Sequence, residues 1–216
     1  MAVDQLMMTD KGATKYLMDD VKKWMAVYRL LDHVSTEVFD CGTLCDHACC
    51  MGRNPAFLPV SDFEQIDWED TSSKETFFTH VSGFSSDNDL GIYLFPGEQQ
   101  MLEIMDDTGW LQIETQDPKE CGFPASWTEP VYFVKCKTPP KCPRNWRPLQ
   151  CRTFPLKPVF GDSGVLELIW NDEELPYSCP LIEQNAPIHD DFYKATYTVW
   201  SHLVRDPRIF DLVMMW

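Results

Sequence analysis

Four of the nine cysteines of this chain fall within ten residues, in the segment CGTLCDHACC. If this segment is helical, steps of four place Cys41, Cys45 and Cys49 on one face, because four residues turn about 400°. Thiolates on one face can converge on one ion, as two histidines at i and i+4 do. Cys50 would point about 100° away and could reach a second ion or a cluster edge. The spacing therefore favours a metal site.

A second group of cysteines lies in and after a proline-rich segment. Cys136, Cys142 and Cys151 fall in CKTPPKCPRNWRPLQC, and Cys179 follows further along the chain. The four prolines of that segment stiffen it, which lowers the entropy lost when ligands close on a metal. Cys121 stands apart from both groups and is predicted to be an unpaired thiol.

Three other uses of the cysteines stay open beside metal binding. They could be buried structural thiols, redox thiols or a disulfide framework, and a framework needs an oxidising compartment. The N-terminal residues are interrupted by charge at Asp4, Asp10 and Lys11, so they lack the apolar core of a signal peptide. No run of about 18 apolar residues suggests a membrane span. These features predict a cytoplasmic protein with reduced thiols or metal thiolates.

Size and charge limit the other function classes. The 216 residues, 44% of them apolar, predict one globular domain over residues 1–216. The net charge of -16 argues against nucleic acid and anionic membranes as partners, and leaves an unknown protein or small molecule. Yet seven of the eighteen basic residues lie between Val131 and Gly161, where no acidic residue occurs. We expect this basic stretch to neutralise thiolates, with Arg147 and Arg152 donating to sulfur or to the acidic remainder of the chain.

Apolar periodicity predicts an α+β fold, small, irregular and organised by a metal, with a few short strands and two long helices. The helices are expected from Ala13 to about Val38 and from His189 to Arg205, and residues 208–216 should dock as a last short helix. The apolar faces of the two long helices are Leu17, Val21, Trp24, Tyr28 and Leu31, and Phe192, Thr196, Val199, Trp200 and Leu203. The expected strands are Leu90–Phe95, Trp110–Glu114, Pro130–Lys137 and Val165–Trp170. Pro96 and Gly97 form a turn, after which Glu98 begins a helix. With Asp87 and Asp89 nearby, Glu98 is interpreted as part of a solvated loop rather than of an acidic site.

Four segments of the chain resemble the zinc- or iron-chelating cysteine-cluster family of bacteria, the CxxCxxCC or YkgJ-like proteins. They are DCGTLCDHACC, LGIYLFPGE, CPRNWRPLQCRTFPL and YSCPL, and RPxxCRxFP within the third is the most specific. The first cluster here is spaced CxxxCxxxCC, not CxxCxxCC. The resemblance implies eight metal ligands, namely Cys41, Cys45, Cys49, Cys50, Cys136, Cys142, Cys151 and Cys179.

The resemblance implies a metal-binding protein of unknown cellular role whose zinc or iron is mainly structural. Zinc is preferred, because eight cysteines make one or two closed four-ligand sites. A distant relative, the flagellin lysine N-methylase, has a similar cysteine motif and is associated with an iron-sulfur cluster and S-adenosylmethionine. An iron-sulfur enzyme of that type is therefore the alternative, and metal storage or delivery is a third. The chain has no G-x-G-x-x-G, P-loop, HExxH or G-x-S-x-G motif, so no catalytic residue is assigned.

Overall fold

The computed structural model describes residues 11–34, 91–106, 109–137, 147–173, 175 and 177–216, with side chains from residue 19 onward in the first range. In chain order the elements are α1 (Lys11–Leu31), β1 (Ile92–Leu94), α2 (Glu98–Met105), β2 (Leu111–Gln116), β3 (Val131–Cys136), α3 (Leu149–Thr153), β4 (Leu156–Phe160), β5 (Leu166–Trp170), α4 (Pro180–Glu183), α5 (Asp190–Leu203) and α6 (Pro207–Val213). This is a mixed α+β structure, which confirms the predicted class.

The strands form two small antiparallel sheets. The three-stranded sheet has the order β1-β3-β2, so Phe133 of the central strand lies opposite Tyr93 on one side and Glu114 on the other. The second sheet pairs β4 with β5, from Leu156 opposite Trp170 to Phe160 opposite Leu166. Strand β4 was not predicted, and it has Pro158 in its middle. A two-stranded sheet has only edge strands, and edge strands tolerate proline.

Helix α1 ends at Leu31, seven residues before the predicted end. In a continuing helix the Tyr28 carbonyl would accept a hydrogen bond from the Asp32 N–H. Here it accepts instead from Arg152 Nη1 at 3.2 Å, and Asp32 N bonds to the Arg29 carbonyl at 3.4 Å. An arginine at a helix C-terminus satisfies orphan carbonyls and suits the negative end of the helix dipole. The end of α1 is therefore stabilised by a residue 124 positions away.

The two C-terminal helices confirm the predicted apolar face of α5 and the predicted docking of the chain end as a short helix. On α5, the five residues expected to face inward are all buried, namely Phe192, Thr196, Val199, Trp200 and Leu203. Helix α6 begins at Pro207, and the Asp206 carboxylate caps it by accepting from the Arg208 N–H at 3.0 Å. Its buried residues Ile209 and Leu212 show that the chain end docks as expected.

The core is one cluster drawn from the helices and both sheets. Phe95 lies at its centre, stacked on Trp24 of α1 with ring centroids 6.4 Å apart and edge-on to Trp200 of α5 at 5.4 Å. Large aromatic contacts of this kind join the long helices across the start of α2. None of the helices in the described ranges has both the length and the apolar character needed to cross a membrane.

Candidate functional site

Three of the eight predicted metal ligands lie in the described part of the chain. Cys136 ends β3 and is half-buried, Cys151 lies exposed on α3, and Cys179 precedes α4 and is buried. The other five lie outside the described residues, namely Cys41, Cys45, Cys49, Cys50 and Cys142. Within the described ranges, no three His, Cys, Asp or Glu side chains form a group that could hold a metal. Cys136, Cys151 and Cys179 thus do not form a three-ligand set by themselves.

Cys151 differs from all its neighbours in exposure. From residue 147 to residue 160 it is the only exposed residue, and the others are buried or half-buried. Leu149 is wholly buried, and Thr153 donates from its hydroxyl to the Leu149 carbonyl at 3.2 Å. Gln150 Nε2 donates to the Tyr93 carbonyl at 3.0 Å. The segment that carries the most specific motif of the sequence is therefore packed into the core, except for its thiol.

The carboxylate of Glu98 lies directly behind this segment. It is 1% exposed and accepts three hydrogen bonds. Oε1 accepts from the Tyr28 hydroxyl at 2.6 Å and from the Leu149 N–H at 2.7 Å, and Oε2 accepts from the Phe95 N–H at 3.0 Å. The expectation that Glu98 belongs to a solvated loop was therefore wrong, although a helix does begin there. Its two partners outside the turn are 70 and 51 residues away in sequence.

Burial controls the proton affinities of this pair. Complete burial raises the pKa of Glu98, while the hydrogen bonds from Tyr28, Phe95 and Leu149 and the charge of Arg152 limit the rise. Burial also raises the pKa of the Tyr28 hydroxyl well above its usual range, and the nearby Glu98 carboxylate adds to the effect. The proton between them therefore stays on Tyr28, which donates.

Arg152 follows the exposed thiol and is buried, with 5% of its surface exposed. Nε donates to the Arg147 carbonyl at 2.9 Å, and Nη1 donates to Asp32 Oδ1 at 2.8 Å as well as to the Tyr28 carbonyl. The guanidinium also lies over the Tyr28 ring, 4.0 Å from its centroid. Of the two roles predicted for Arg152, pairing with the acidic part of the chain is the one observed. Its buried Nη2 makes no hydrogen bond within the described residues.

The turn before Glu98 is shaped to fit α1. The Pro96 carbonyl accepts from Trp24 Nε1 at 2.9 Å. Gly97 has φ 85°, and a Cβ placed there would lie 3.0 Å from Trp24 Nε1 and 3.2 Å from the Asp20 Cβ. Both the left-handed backbone and the close approach favour glycine. Each residue of the Pro96-Gly97-Glu98 motif therefore makes a contact with α1.

Two sequence motifs thus meet at one face of α1. Trp24 and Tyr28 of α1 bond to the turn and to Glu98, and Asp32, one residue past the end of the helix, bonds to Arg152. The sequence pointed to both motifs, the Pro96-Gly97-Glu98 turn and the segment that carries Cys151 and Arg152. It did not predict that they meet, because the local sequence of neither motif indicates which distant residues it contacts. Asp87 and Asp89, grouped with Glu98 on the sequence, lie outside the described residues.

Cys121 lies in a separate polar cluster. Its thiol donates to Gln116 Oε1 at 3.1 Å, and the same oxygen accepts from the Tyr93 hydroxyl at 2.6 Å. Burial is the main cause that raises the pKa of Tyr93 above its usual range, and the contact with the Cys121 thiol adds to it. The half-buried thiol is thus engaged by a side chain of the three-stranded sheet.

Comparison of the chain with protein-family models, with curated proteins and with solved structures finds no match. The resemblance to the cysteine-cluster family therefore stays a prediction from the motifs.

Proposed function

We propose that this chain is a cysteine-cluster metal-binding protein whose zinc or iron mainly supports the fold. The observation that carries the proposal is the exposure of Cys151 alone in a segment that is otherwise packed into the core. A thiol with only a packing role would be buried, because cysteine is among the most buried residue types. A thiol that binds a metal ion outside the core has to be exposed, and the packed residues around it hold it in place.

The described residues fit a thiolate site in two further respects. Cys136 and Cys151 flank residues 137–150, which contain Cys142, so a candidate ligand lies on each side of this stretch. The buried Nη2 of Arg152, next in sequence to Cys151, retains a donor that a negatively charged thiolate site could use. The proposed ligands are Cys41, Cys45, Cys49, Cys50, Cys136, Cys142, Cys151 and Cys179, and the bound metal would link them across the chain.

Metal analysis of protein purified without oxygen tests the proposal directly. We expect zinc in a colourless protein, because zinc is a closed-shell ion. Cys45→Ser and Cys151→Ser should lose metal, whereas Cys121→Ser, the matched control outside both groups, should keep all of it. Equal metal loss from all three variants would contradict the ligand assignment, and wild-type protein without metal would contradict the function.

The structural role of the metal has its own test. A strong chelator should lower the melting temperature and expose Val131–Leu156 to protease, because metal binding contributes folding free energy. Complete removal of metal without a change in melting temperature would show that the metal does not support the fold.

An iron-sulfur enzyme of the methyltransferase type is the second candidate. The close spacing of Cys45, Cys49 and Cys50 favours it, since iron-sulfur clusters are held by neighbouring thiolates. A brown protein with iron and acid-labile sulfide in equal amounts would favour this candidate over zinc. Calorimetry with S-adenosylmethionine would then separate an enzyme from a binding protein.

A further inference from the structure

We propose that Glu98 is a positioning residue for the cysteine site, holding the Cys151 thiol in place through the Leu149 N–H. The inference rests on the proposed function, since it assumes that Cys151 binds the metal. It adds a residue that the ligand motifs do not contain and that would act through another residue, without touching the metal.

The geometry of the carboxylate supports this role. Glu98 Oε1 accepts from both the Tyr28 hydroxyl and the Leu149 N–H, so one atom joins α1 to the beginning of α3. Oε2 accepts from the Phe95 N–H and thereby fixes the side chain to its own turn. Two residues after Leu149 comes Cys151, the exposed member of α3. A shift of Glu98 therefore moves the helix that carries the thiol.

A second contact fixes the other side of the thiol. Arg152 Nη1 donates to Asp32 and to the Tyr28 carbonyl, so α3 is held against α1 both before and after Cys151. Tyr28 takes part in both contacts, through its hydroxyl and its carbonyl. With both sides fixed, the position of the thiol relative to α1 is determined by buried hydrogen bonds.

Burial explains why the hydrogen bonds of Glu98 should hold α3 firmly. The hydrogen bonds of Glu98 form in an environment that excludes water, where a lost partner leaves a buried polar group unsatisfied. Outer contacts that orient a metal ligand typically change metal affinity by about 10–100-fold when removed. We therefore expect Glu98→Ala to weaken zinc binding by about 10-fold or more.

Glu98→Gln tests the hydrogen bonds of Glu98 Oε1 separately from the charge of the carboxylate. The glutamine Oε1 can still accept from Tyr28 and Leu149, while its amide group meets the Phe95 N–H, where it cannot accept. We expect this variant to bind zinc nearly as tightly as the wild type although it is less stable. Trp24→Phe is the matched control, because it removes the neighbouring bond from α1 to the Pro96 carbonyl and leaves the Leu149 bond intact.

The experiment measures zinc affinity by competition with a chromophoric chelator, well below each variant's unfolding transition. It also measures hydrogen exchange of residues 147–156 in each protein as purified. We expect Glu98→Ala to weaken zinc binding and speed exchange in this segment, and Trp24→Phe to change neither by as much. If Glu98→Ala does not fold, Glu98→Asp replaces it, because the shorter side chain should also lose the hydrogen bond from the Leu149 N–H.

Equal effects of Glu98→Ala and Trp24→Phe on zinc affinity would overturn the inference and show only general destabilisation. Loss of zinc affinity in Glu98→Gln equal to that in Glu98→Ala would also overturn it, because Glu98→Gln keeps the hydrogen bond from the Leu149 N–H. If wild-type protein binds no zinc or iron, the proposed function fails. The exchange data would then still show whether Glu98 holds α3.

Discussion

Arg152 and Lys157 are five residues apart in the same basic stretch, and both are buried, yet their surroundings differ. The Arg152 side chain is 2% exposed and joins α3 to α1, where it meets the Tyr28 ring, two carbonyls and Asp32. The Lys157 side chain is 7% exposed and reaches outward from β4 to Asp172 and Glu173. Asp172 is 70% exposed. Both cations are buried, but Arg152 bonds to two backbone carbonyls as well as to a carboxylate, whereas Lys157 pairs with the largely exposed Asp172.

The carboxylates beside the two cations differ in burial, and Glu173 beside Lys157 behaves like Glu98, because burial raises its pKa too. Burial raises the pKa of Glu98, because water is excluded from it. A hydrogen bond from Lys157 lowers the pKa of the exposed Asp172. The basic stretch therefore has no single role. Its charge density suggested neutralisation of thiolates, but the local partner of each cation decides what that cation does.

The largest expected difference between the two regions is the cost of removing each cation. Arg152→Met should reduce the free energy of unfolding by about 3–5 kcal/mol, because it leaves Glu98 without a countercharge and two carbonyls without a donor. Urea unfolding followed by tryptophan fluorescence measures the loss. Arg152→Lys keeps the charge but not the planar guanidinium group, so its free energy of unfolding should lie between those of wild type and Arg152→Met. A loss below about 1 kcal/mol would mean that the buried network contributes little.

The next effect is a pH dependence that Glu98 introduces. Its pKa is raised in the folded state, so between the ordinary value of 4.5 and the raised value the folded chain binds the proton that the unfolded chain has released. Stability from this group is therefore greatest at low pH and falls as the pH rises through that window, by about 1.4 kcal/mol for each pKa unit between the two states. The Tyr28 hydroxyl, which donates to Glu98, and the positive charge of Arg152 both oppose the rise of its pKa.

Glu98→Gln removes this titration. The difference in stability between wild type and Glu98→Gln should shift in favour of the variant as the pH rises above 4.5. Unfolding curves at a series of pH values measure it. A difference that moves the other way would show that the hydrogen bonds outweigh burial and lower the pKa of Glu98.

Lys157→Met should have a much smaller effect than Arg152→Met, within about 1 kcal/mol of wild type in either direction. Methionine keeps most of the apolar stem that packs in the sheet, and the exposed Asp172 can return to water. The same urea experiment measures it. A loss comparable to that of Arg152→Met would show that the Lys157 ion pairs contribute as much to stability as the Arg152 network.

The sequence predicted the apolar faces of the long helices but not the contacts between motifs. Val21, Trp24, Tyr28 and Leu31 are buried as their spacing indicates, because helical periodicity is a local property. The burial of Glu98 depends on Tyr28 and Leu149, which are far away in the chain. The short helix α3 was missed because five residues carry too little periodicity to be recognised. The eight predicted cysteine ligands were implied by the resemblance to the cysteine-cluster family, and five of them lie outside the described residues.

The smallest expected effect is the response of the two regions to salt, and it sharpens the comparison most directly. Raising the ionic strength from about 0.1 M to about 1 M shortens the Debye length from about 10 Å to about 3 Å. Ions can reach the Lys157 pair through the exposed Asp172, so any stability lost in Lys157→Met should shrink towards zero at high salt. Ions cannot enter the Arg152 network, where Glu98 and the guanidinium are both buried, so the loss in Arg152→Met should stay nearly constant. Urea unfolding of wild type and both variants at the two salt concentrations measures these differences. If the Arg152→Met loss shrinks with salt as well, its main contribution is the pair with Asp32, which is 33% exposed, and the buried hydrogen bonds matter less than their geometry suggests.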